Sequence, residues 1–343
     1  MRARRTSSAG LSSGPSLGSD AMRTWRLDEL GEPLEQLRLV EVDEPAPGPG
    51  QVAVRVEAVG LAFPDVLMCR GIYQAKTPPG FTPGGETCGV VSALGEGVDG
   101  LAVGQRVVLL GGGLAETVVV NATSAFPVPD GVEAAKAAAL PVNYGTTWFA
   151  LHDRAVLQPD EWLLVTGAAG GTGTAAIQLG RAAGAKVVAV AGGDTKVQLC
   201  RDLGAEVVVD HHATPDWVDA VREATGGGVD VAYDPVGGDT FHQARRCMAW
   251  DGRLLVIGFV AGIPEAPTNH ALLKNYSIVG VHWGASLGRR PESLAQQMAS
   301  VLALAATGEV DPPLYPPYRF EDAAQGLQDL ADRKTYGKAV VTL

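Results

Sequence analysis

The sequence predicts an α/β protein in which a small all-β unit precedes a doubly wound parallel sheet. Between Met22 and about Pro141, short Val-rich runs alternate with Gly and Pro breaks, the punctuation of a compact β unit. From about Tyr144 the period changes, and apolar runs of strand length alternate with stretches of helical periodicity. That pattern implies parallel strands joined by crossover helices and covered on both faces. A chain of 343 residues with 44 glycines, 46% hydrophobic and only 6% aromatic residues fits two globular domains with many tight turns.

In order, the β unit reads as "MRTWRL", "LRLVEVDEP", "GQVAVRVEAVGL", "CGVVSALG", "QRVVLLG" and "AETVVVNA". Six strands of the second unit follow: "EWLLVTG", "KVVAVAG", "EVVVDH", "VDVAYDPVG", "GRLLVIGF" and "YSIVGVHWG", with "TAAIQLGRAAG", "KVQLCRDLG", "DWVDAVREATG", "TFHQARRCMA" and "NHALLKN" as the helices between them. After Gly284 the stretch "PESLAQQMASVLALAATG" predicts a helix, and a closing strand, "GKAVVTL", is expected to rejoin the first unit. Residues 1–21 are rich in Arg and Ser and lack the apolar stretch of a secretory signal. They read as a disordered extension, with transit-peptide chemistry as the other reading.

A formal net charge of −11 with no long basic cluster disfavours a nucleic-acid partner. No apolar run approaches the roughly 20 residues that a membrane-spanning helix needs. Cys69, Cys88, Cys200 and Cys247 stand apart, at neither metal-ligand nor redox spacing, so a reducing cytoplasm is the expected location.

The densest chemical signal is "VTGAAGGTG", residues 165–173. It follows a strand and opens a helix, the context that makes a glycine motif a dinucleotide site. Gly170, with Gly171 and Thr172 beside it, lets the backbone approach a pyrophosphate at the helix N-terminus. Gly173 lets helix and strand pack closely, and Ala168 replaces the usual first glycine. Sites selective for NAD carry an Asp or Glu about 20 residues on, which holds the ribose hydroxyls and repels a 2′-phosphate. Here that position is Ala191, followed by Gly192 and Gly193, with Lys196 in the next helical turn. NADPH is the cofactor this predicts. Asp194 is expected to cap the following helix, and for Lys196 a phosphate ligand and a solvated helix lysine are equally open.

Taken with this turn, the segments "GLAFPDVLMCRGIYQ", "PGGETCGVV", "LPVNYGTTWFAL", "VDVAYDPVGG", "GRLLVIGF", "LLKNYSIVGVHWG" and "GKAVVTL" resemble the zinc-independent medium-chain dehydrogenase/reductases, in the NADPH:quinone oxidoreductase group. The resemblance covers Met22 to Leu343. It implies a GroES-like β-barrel catalytic domain built from residues 22–143 and 285–343, with a Rossmann nucleotide-binding domain, 144–284, inserted and the active site between them. It further implies that Tyr144 and Thr147 line the nicotinamide approach and that Asp234, Val236, Gly258, Phe259, Asn269 and Lys338 border the cofactor. His211 stands where the group often has a Tyr near the adenosine phosphate; a loop histidine is the other reading. Metal is not expected, because Gly85 precedes Glu86 where zinc enzymes have a His, and the Cys ligands are absent.

Hydride transfer asks the protein mainly to align donor and acceptor and to exclude water. The resemblance puts an Asn where this chain has Ala62 and, in some members, a Tyr where it has Leu67, so two polar groups of the quinone site are missing. Tyr73 matches the tyrosine of related enoyl-thioester reductases near the substrate carbonyl; it is the candidate acid, or a tyrosine plugging the cleft rim. Asp65 is the second polar candidate, or a cap for its own turn. Three readings follow: an NADPH-dependent reductase of quinones or conjugated carbonyls, an enoyl-CoA reductase using Tyr73, and a non-catalytic NADPH-binding partner or sensor. The small-molecule substrate reading comes with an expected homodimer through the edge strand near "YSIVGVHWG".

Overall fold

A computed structural model describes residues 21–74, 76 and 78–343. The predicted extension, residues 1–21, lies outside these apart from Ala21. Two strands, β1 (Ala21–Leu27) and β2 (Leu37–Asp43), form an antiparallel ribbon. Beyond it come β3 (Gln51–Leu61), β4 (Glu86–Leu94), β5 (Arg106–Leu110), β6 (Thr117–Asn121) and β7 (Ala125–Pro127). With β14 (Tyr318–Arg319) and β15 (Ala339–Thr342) from the far end of the chain they make one seven-stranded sheet. As its sequence suggests, "GKAVVTL" returns: β15 lies antiparallel to β3, with Val341 opposite Val59. Its apolar residues close over a core of Leu27, Val59, Leu61, Leu109 and Leu327.

The second sheet is wholly parallel. Its strands β8 (Trp162–Val165), β9 (Lys186–Ala191), β10 (Val207–Asp210), β11 (Val229–Asp234), β12 (Met248–Val256) and β13 (Ser277–Gly280) stand in the order β10-β9-β8-β11-β12-β13. This is a doubly wound arrangement whose direction of winding reverses beside the first strand, and ligands bind such sheets at that crevice. The strands lack polar alternation because both faces are covered. Leu163, Val165, Val187 and Ala189 enter one core, whereas Leu164, Val188 and Val190 enter the other. Successive side chains point to opposite faces, so an unbroken apolar run feeds two cores at once.

Two segments differ from the sequence reading. "YSIVGVHWG" does not continue as strand: β13 ends at Gly280 and Trp283 opens the helix Trp283–Arg289. The Trp283 indole packs where a Cβ on Gly145 would stand and donates to Gln297 Oε1 at 2.7 Å; burial of the large ring overrides the strand propensity around it. The cap of the helix Asp194–Asp202 is Gly193, at φ +84°, and Asp194 is its first helical residue. Its acid sits in the first turn, where the helix dipole favours it. Among the described residues no helix is long and apolar enough to cross a membrane.

At the glycine turn the packing is tight. Gly167 adopts φ +55° between β8 and the helix Gly171–Ala182. A Cβ on Gly173 would collide with Gly167 O and stand 2.7 Å from the carbonyl carbon of Ala168, whereas one on Gly170 would meet only Gly167 O at 3.3 Å. Gly173→Ala is therefore expected to cost about 1–3 kcal/mol through overpacking, read as a lower urea midpoint, while Gly170→Ala should stay within about 0.5 kcal/mol.

Candidate functional site

The site lies where the last strand of the seven-stranded sheet meets the glycine turn of the parallel one. Gly337, just before β15, donates its N–H to Ala169 O at 2.7 Å and forms a bridge with Gly170. Gly170 is exposed and Gly171 and Thr172 half-exposed, so the start of the helix Gly171–Ala182 opens outward, whereas Ala168 and Gly173 are packed inside. A helix of this length with free N-terminal N–H groups is suited to hold a phosphate. Ala168 takes no part at the surface: it is fully buried, and its N–H donates to Val190 O at 3.1 Å.

Next to Gly337, Lys338 is buried against Glu86. The ammonium forms an ion pair with Glu86 Oε1, while Glu86 Oε2 accepts the N–H of Val142 at 2.8 Å. Lys338 is 3% exposed and Glu86 not at all. Burial lowers the pKa of Lys338, and the negative charge of Asp65 pulls the other way. The resemblance puts Lys338 against the cofactor; here its charge is directed to Glu86, because a buried ammonium without a carboxylate is costly.

Asp65 is held just as firmly. Its Oδ2 accepts the N–H of Ala62 at 2.8 Å and its Oδ1 that of Gly84 at 3.0 Å, and it is 1% exposed. Burial raises its pKa and these backbone donors oppose the rise. The carboxylate caps the helix Phe63–Cys69 and ties it to the Gly84–Gly85 turn, so Asp65 is a positioning residue, not an acid facing solvent. Tyr73 follows that helix. It is half-buried, its phenol has no hydrogen-bond partner among the described residues, and burial followed by the charge of Asp65 raises its pKa. The phenol therefore keeps its proton at neutral pH.

The helix Pro141–Trp148 turns two expected residues inward. Tyr144 is 1% exposed and donates to Gln178 Oε1 at 2.7 Å; Thr147, fully buried, shares a 2.9 Å hydrogen bond with Tyr233. Neither lines an open approach, because on a helix of 3.6 residues per turn both fall on the face against the helix Gly171–Ala182. The Thr172 hydroxyl lies beside the same Tyr233 phenol. The residue presented to the glycine turn is Asn143, whose Nδ2 occupies the place where a Cβ on Gly171 would be. It is 7% exposed, and no group among the described residues hydrogen-bonds its amide. The sequence reading passed over it, although it directly precedes Tyr144.

On the other side, Asp234 ends β11 buried. Its Oδ1 accepts from the Thr166 hydroxyl at 2.6 Å and from Val236 N–H at 3.0 Å. It shapes the turn that brings Val236 Cγ2 to 3.0 Å from a Cβ position on Gly167. Gly258 packs on Pro235 O, and Phe259 is 39% exposed beside it. Asn269 is not gathered here: it is exposed in the helix Thr268–Lys274, which covers the β12 side of the sheet.

The end of β9 completes the site. Gly192 and Gly193 follow Ala191, and Lys196 Nζ reaches Arg333 O at 3.4 Å. That contact brings the loop before β15 alongside, a neighbour not visible from local sequence. Asp210, paired in register with Ala191, turns its Oδ1 to the N–H groups of Gly193, at 3.1 Å, and His212, at 2.9 Å. His211 and His212 are both exposed over Gly192.

The buried ion pair is testable. Lys338→Met leaves Glu86 without its partner, and a loss of about 3–5 kcal/mol in unfolding free energy is expected. Glu86→Gln together with Lys338→Met should recover much of it in a urea titration.

Comparison with known proteins agrees with this architecture. Residues 48–130 match the family described as "Alcohol dehydrogenase GroES-like domain" and residues 171–303 the one described as "Zinc-binding dehydrogenase". The donors present do not fit zinc. Asp65 and Glu86 are spent on the partners above, and the buried Cys69 and Cys88 thiols are pushed up to about 12 by burial. No three His, Cys, Asp or Glu side chains converge among the described residues. Over 326 residues the chain is 38% identical to "Quinone oxidoreductase-like protein 2" of Bos taurus, covering 94% of this chain and 93% of that one. The quinone oxidoreductase of Thermus thermophilus, solved also as its complex with NADPH, is 34% identical with a TM-score of 0.81 over 94% of this chain and 100% of its own. A structure of CurK enoyl reductase is 26% identical with a TM-score of 0.84, over 94% and 99%. With its barrel, its inserted doubly wound sheet and a full-length relative of this identity, the chain belongs to the medium-chain dehydrogenase/reductase family, among its quinone oxidoreductase-like members.

Proposed function

We propose that this protein is an NADPH-dependent, zinc-independent reductase that delivers hydride to a quinone or another conjugated carbonyl compound. The observation that carries the reading is the end of β9. It holds no acid, offers the small Gly192 and Gly193, and has Lys196 in the next turn. An acid there repels a 2′-phosphate, and an ammonium attracts one. The NADPH complex of the Thermus relative supports it.

The rest of the site fits such a cofactor. The exposed turn at Gly170 admits a pyrophosphate to the helix N-terminus. The unpartnered amide of Asn143 faces the same turn and is free to bond a polar ligand. When bound, NADPH supplies the hydride from its nicotinamide ring. The chain itself aligns the acceptor and excludes water. Asp65 acts through the backbone: it fixes the Ala62 turn and the helix that leads to Tyr73.

A protonated, unpartnered phenol at Tyr73 favours a second acceptor, an α,β-unsaturated thioester, whose enolate needs a proton. The enoyl reductase neighbour supports that reading. We also infer a homodimer. β13 is an edge of the parallel sheet, with Ile278 40% exposed on it and Leu272 and Leu273 exposed on the nearby helix Thr268–Lys274. Such an edge is covered by pairing with a second copy.

Assays of NADPH oxidation over a panel of quinones, enones and enoyl thioesters should show turnover; tight NADPH binding without any turnover would favour the binding-partner reading instead. Lys196→Ala is expected to weaken NADPH binding by about tenfold, the equivalent of one charge-assisted contact, with NADH unchanged. Tyr73→Phe should lower turnover of an enoyl thioester by about a hundredfold and leave quinone reduction nearly intact. Ile278→Lys should convert the dimer to a monomer in light scattering.

A further inference from the structure

We propose that His211 and His212 read the 2′-phosphate of the cofactor in a proton-dependent way, so that the preference for NADPH over NADH strengthens as the pH falls. The inference rests on the cofactor reading above and adds a regulation of that site.

The geometry is convergent. A Cβ on Gly192 would stand 2.6 Å from Nε2 of His211 and 2.6 Å from Nε2 of His212. Both imidazoles therefore bring a ring nitrogen to one point, at the end of the strand where the ribose-binding acid is absent. The rings meet edge to face, with centroids 4.6 Å apart, and both residues are exposed to an arriving ligand. Asp210 sets this arrangement by accepting the His212 and Gly193 N–H groups, which ties the loop after β10 to the loop after β9.

The charges around the pair make it decisive. Lys196 faces it from the helix Asp194–Asp202, and Asp210 faces it from the end of β10. Arg333 approaches only through its carbonyl on Lys196, with its guanidinium donating to Val260 O at 2.7 Å. Lys196 brings a positive charge to the pair and Asp210 a negative one. A proton taken up by His211 tips the pocket toward positive charge.

Burial first, then the neighbouring His212, holds His211 below its ordinary value, so the free protein presents it neutral at pH 7. A phosphate dianion reverses that balance, since an opposite charge nearby favours the protonated imidazole. The complex has the higher imidazole pKa, so binding takes up a proton and weakens as the pH rises through that range. The second ionisation of a phosphate monoester, near pH 6, sets the lower bound of the effect. NADH lacks this group, so its binding should not follow the same slope.

Isothermal titration of the full chain with NADPH and with NADH, between about pH 6.5 and pH 8 in buffers of different ionisation heat, tests this. The expected result is a Kd for NADPH that rises about threefold to tenfold per pH unit with net proton uptake, beside a flat NADH curve. The double variant H211Q/H212Q should still bind NADPH through Lys196, with the slope and the proton uptake lost. Its thermal unfolding should match the parent, since both side chains are exposed. Tight NADPH binding with no proton uptake, or a slope that the double variant retains, overturns the inference alone. NADPH binding no tighter than NADH at every pH overturns the cofactor reading with it.

Discussion

The ammonium of Lys338, buried against the Glu86 carboxylate, is the contact on which the seam between the two sheets rests. Lys338 lies at the start of the strand that returns to the barrel, and Glu86 opens β4 on the other side of β3. The remaining oxygen of Glu86 holds the N–H of Val142, at the start of the helix that leads into the second domain. One residue before Lys338, Gly337 is bonded to the glycine turn. A single buried pair thus fixes the barrel, the linking helix and the nucleotide turn relative to one another. Buried charge contributes little net stability, but its directionality specifies one arrangement over others.

The polar groups of the cleft divide into those that build it and those left free. Asp65, Asp234, Thr147 and Tyr233 are satisfied inside the protein, each holding a turn or a helix start. Tyr73 and Asn143 have no such partner among the described residues, although both are largely sheltered. Neither is among the side chains with an enclosed, unpartnered polar atom, so water or a ligand can complete them. That difference, more than residue type, marks which side chains are available for chemistry. The chain has the apolar Ala62 and Leu67 at the two positions where the resemblance implies polar side chains. Hydride transfer needs few side chains once donor and acceptor are aligned.

The acid-free end of β9 and the histidine pair over Gly192 belong to one electrostatic design. Asp210 is an acid close to the place where the ribose-binding acid is missing, but it sits on the neighbouring strand and its Oδ1 is committed to two backbone N–H groups. It therefore organises the loop that carries His211 and His212. Lys196 and the Arg333 loop approach from the opposite side. Charge complementarity of this kind acts chiefly on selectivity between related ligands.

The strands of both domains, the glycine turn and the missing acid were legible in the sequence because each is encoded locally. A pleat repeats every two residues, a helix every 3.6, and a turn with φ near +55° at Gly167 calls for glycine. The return of "GKAVVTL" to the first sheet was legible too, as a closing strand after the last helix. Tertiary structure alone decided which neighbours face the cleft. Asn143 and Tyr144 are adjacent in sequence, yet one meets the glycine turn and the other enters the core, according to which face of the helix packs. Trp283 became a core anchor in place of the end of a strand because Gly145 left room for its ring. Glu86 and Lys338, and Gly337 and Ala169, are pairs far apart in the chain. Their partnership follows from burial, which demands that every enclosed charge and N–H find a partner, and no local pattern states which partner that is.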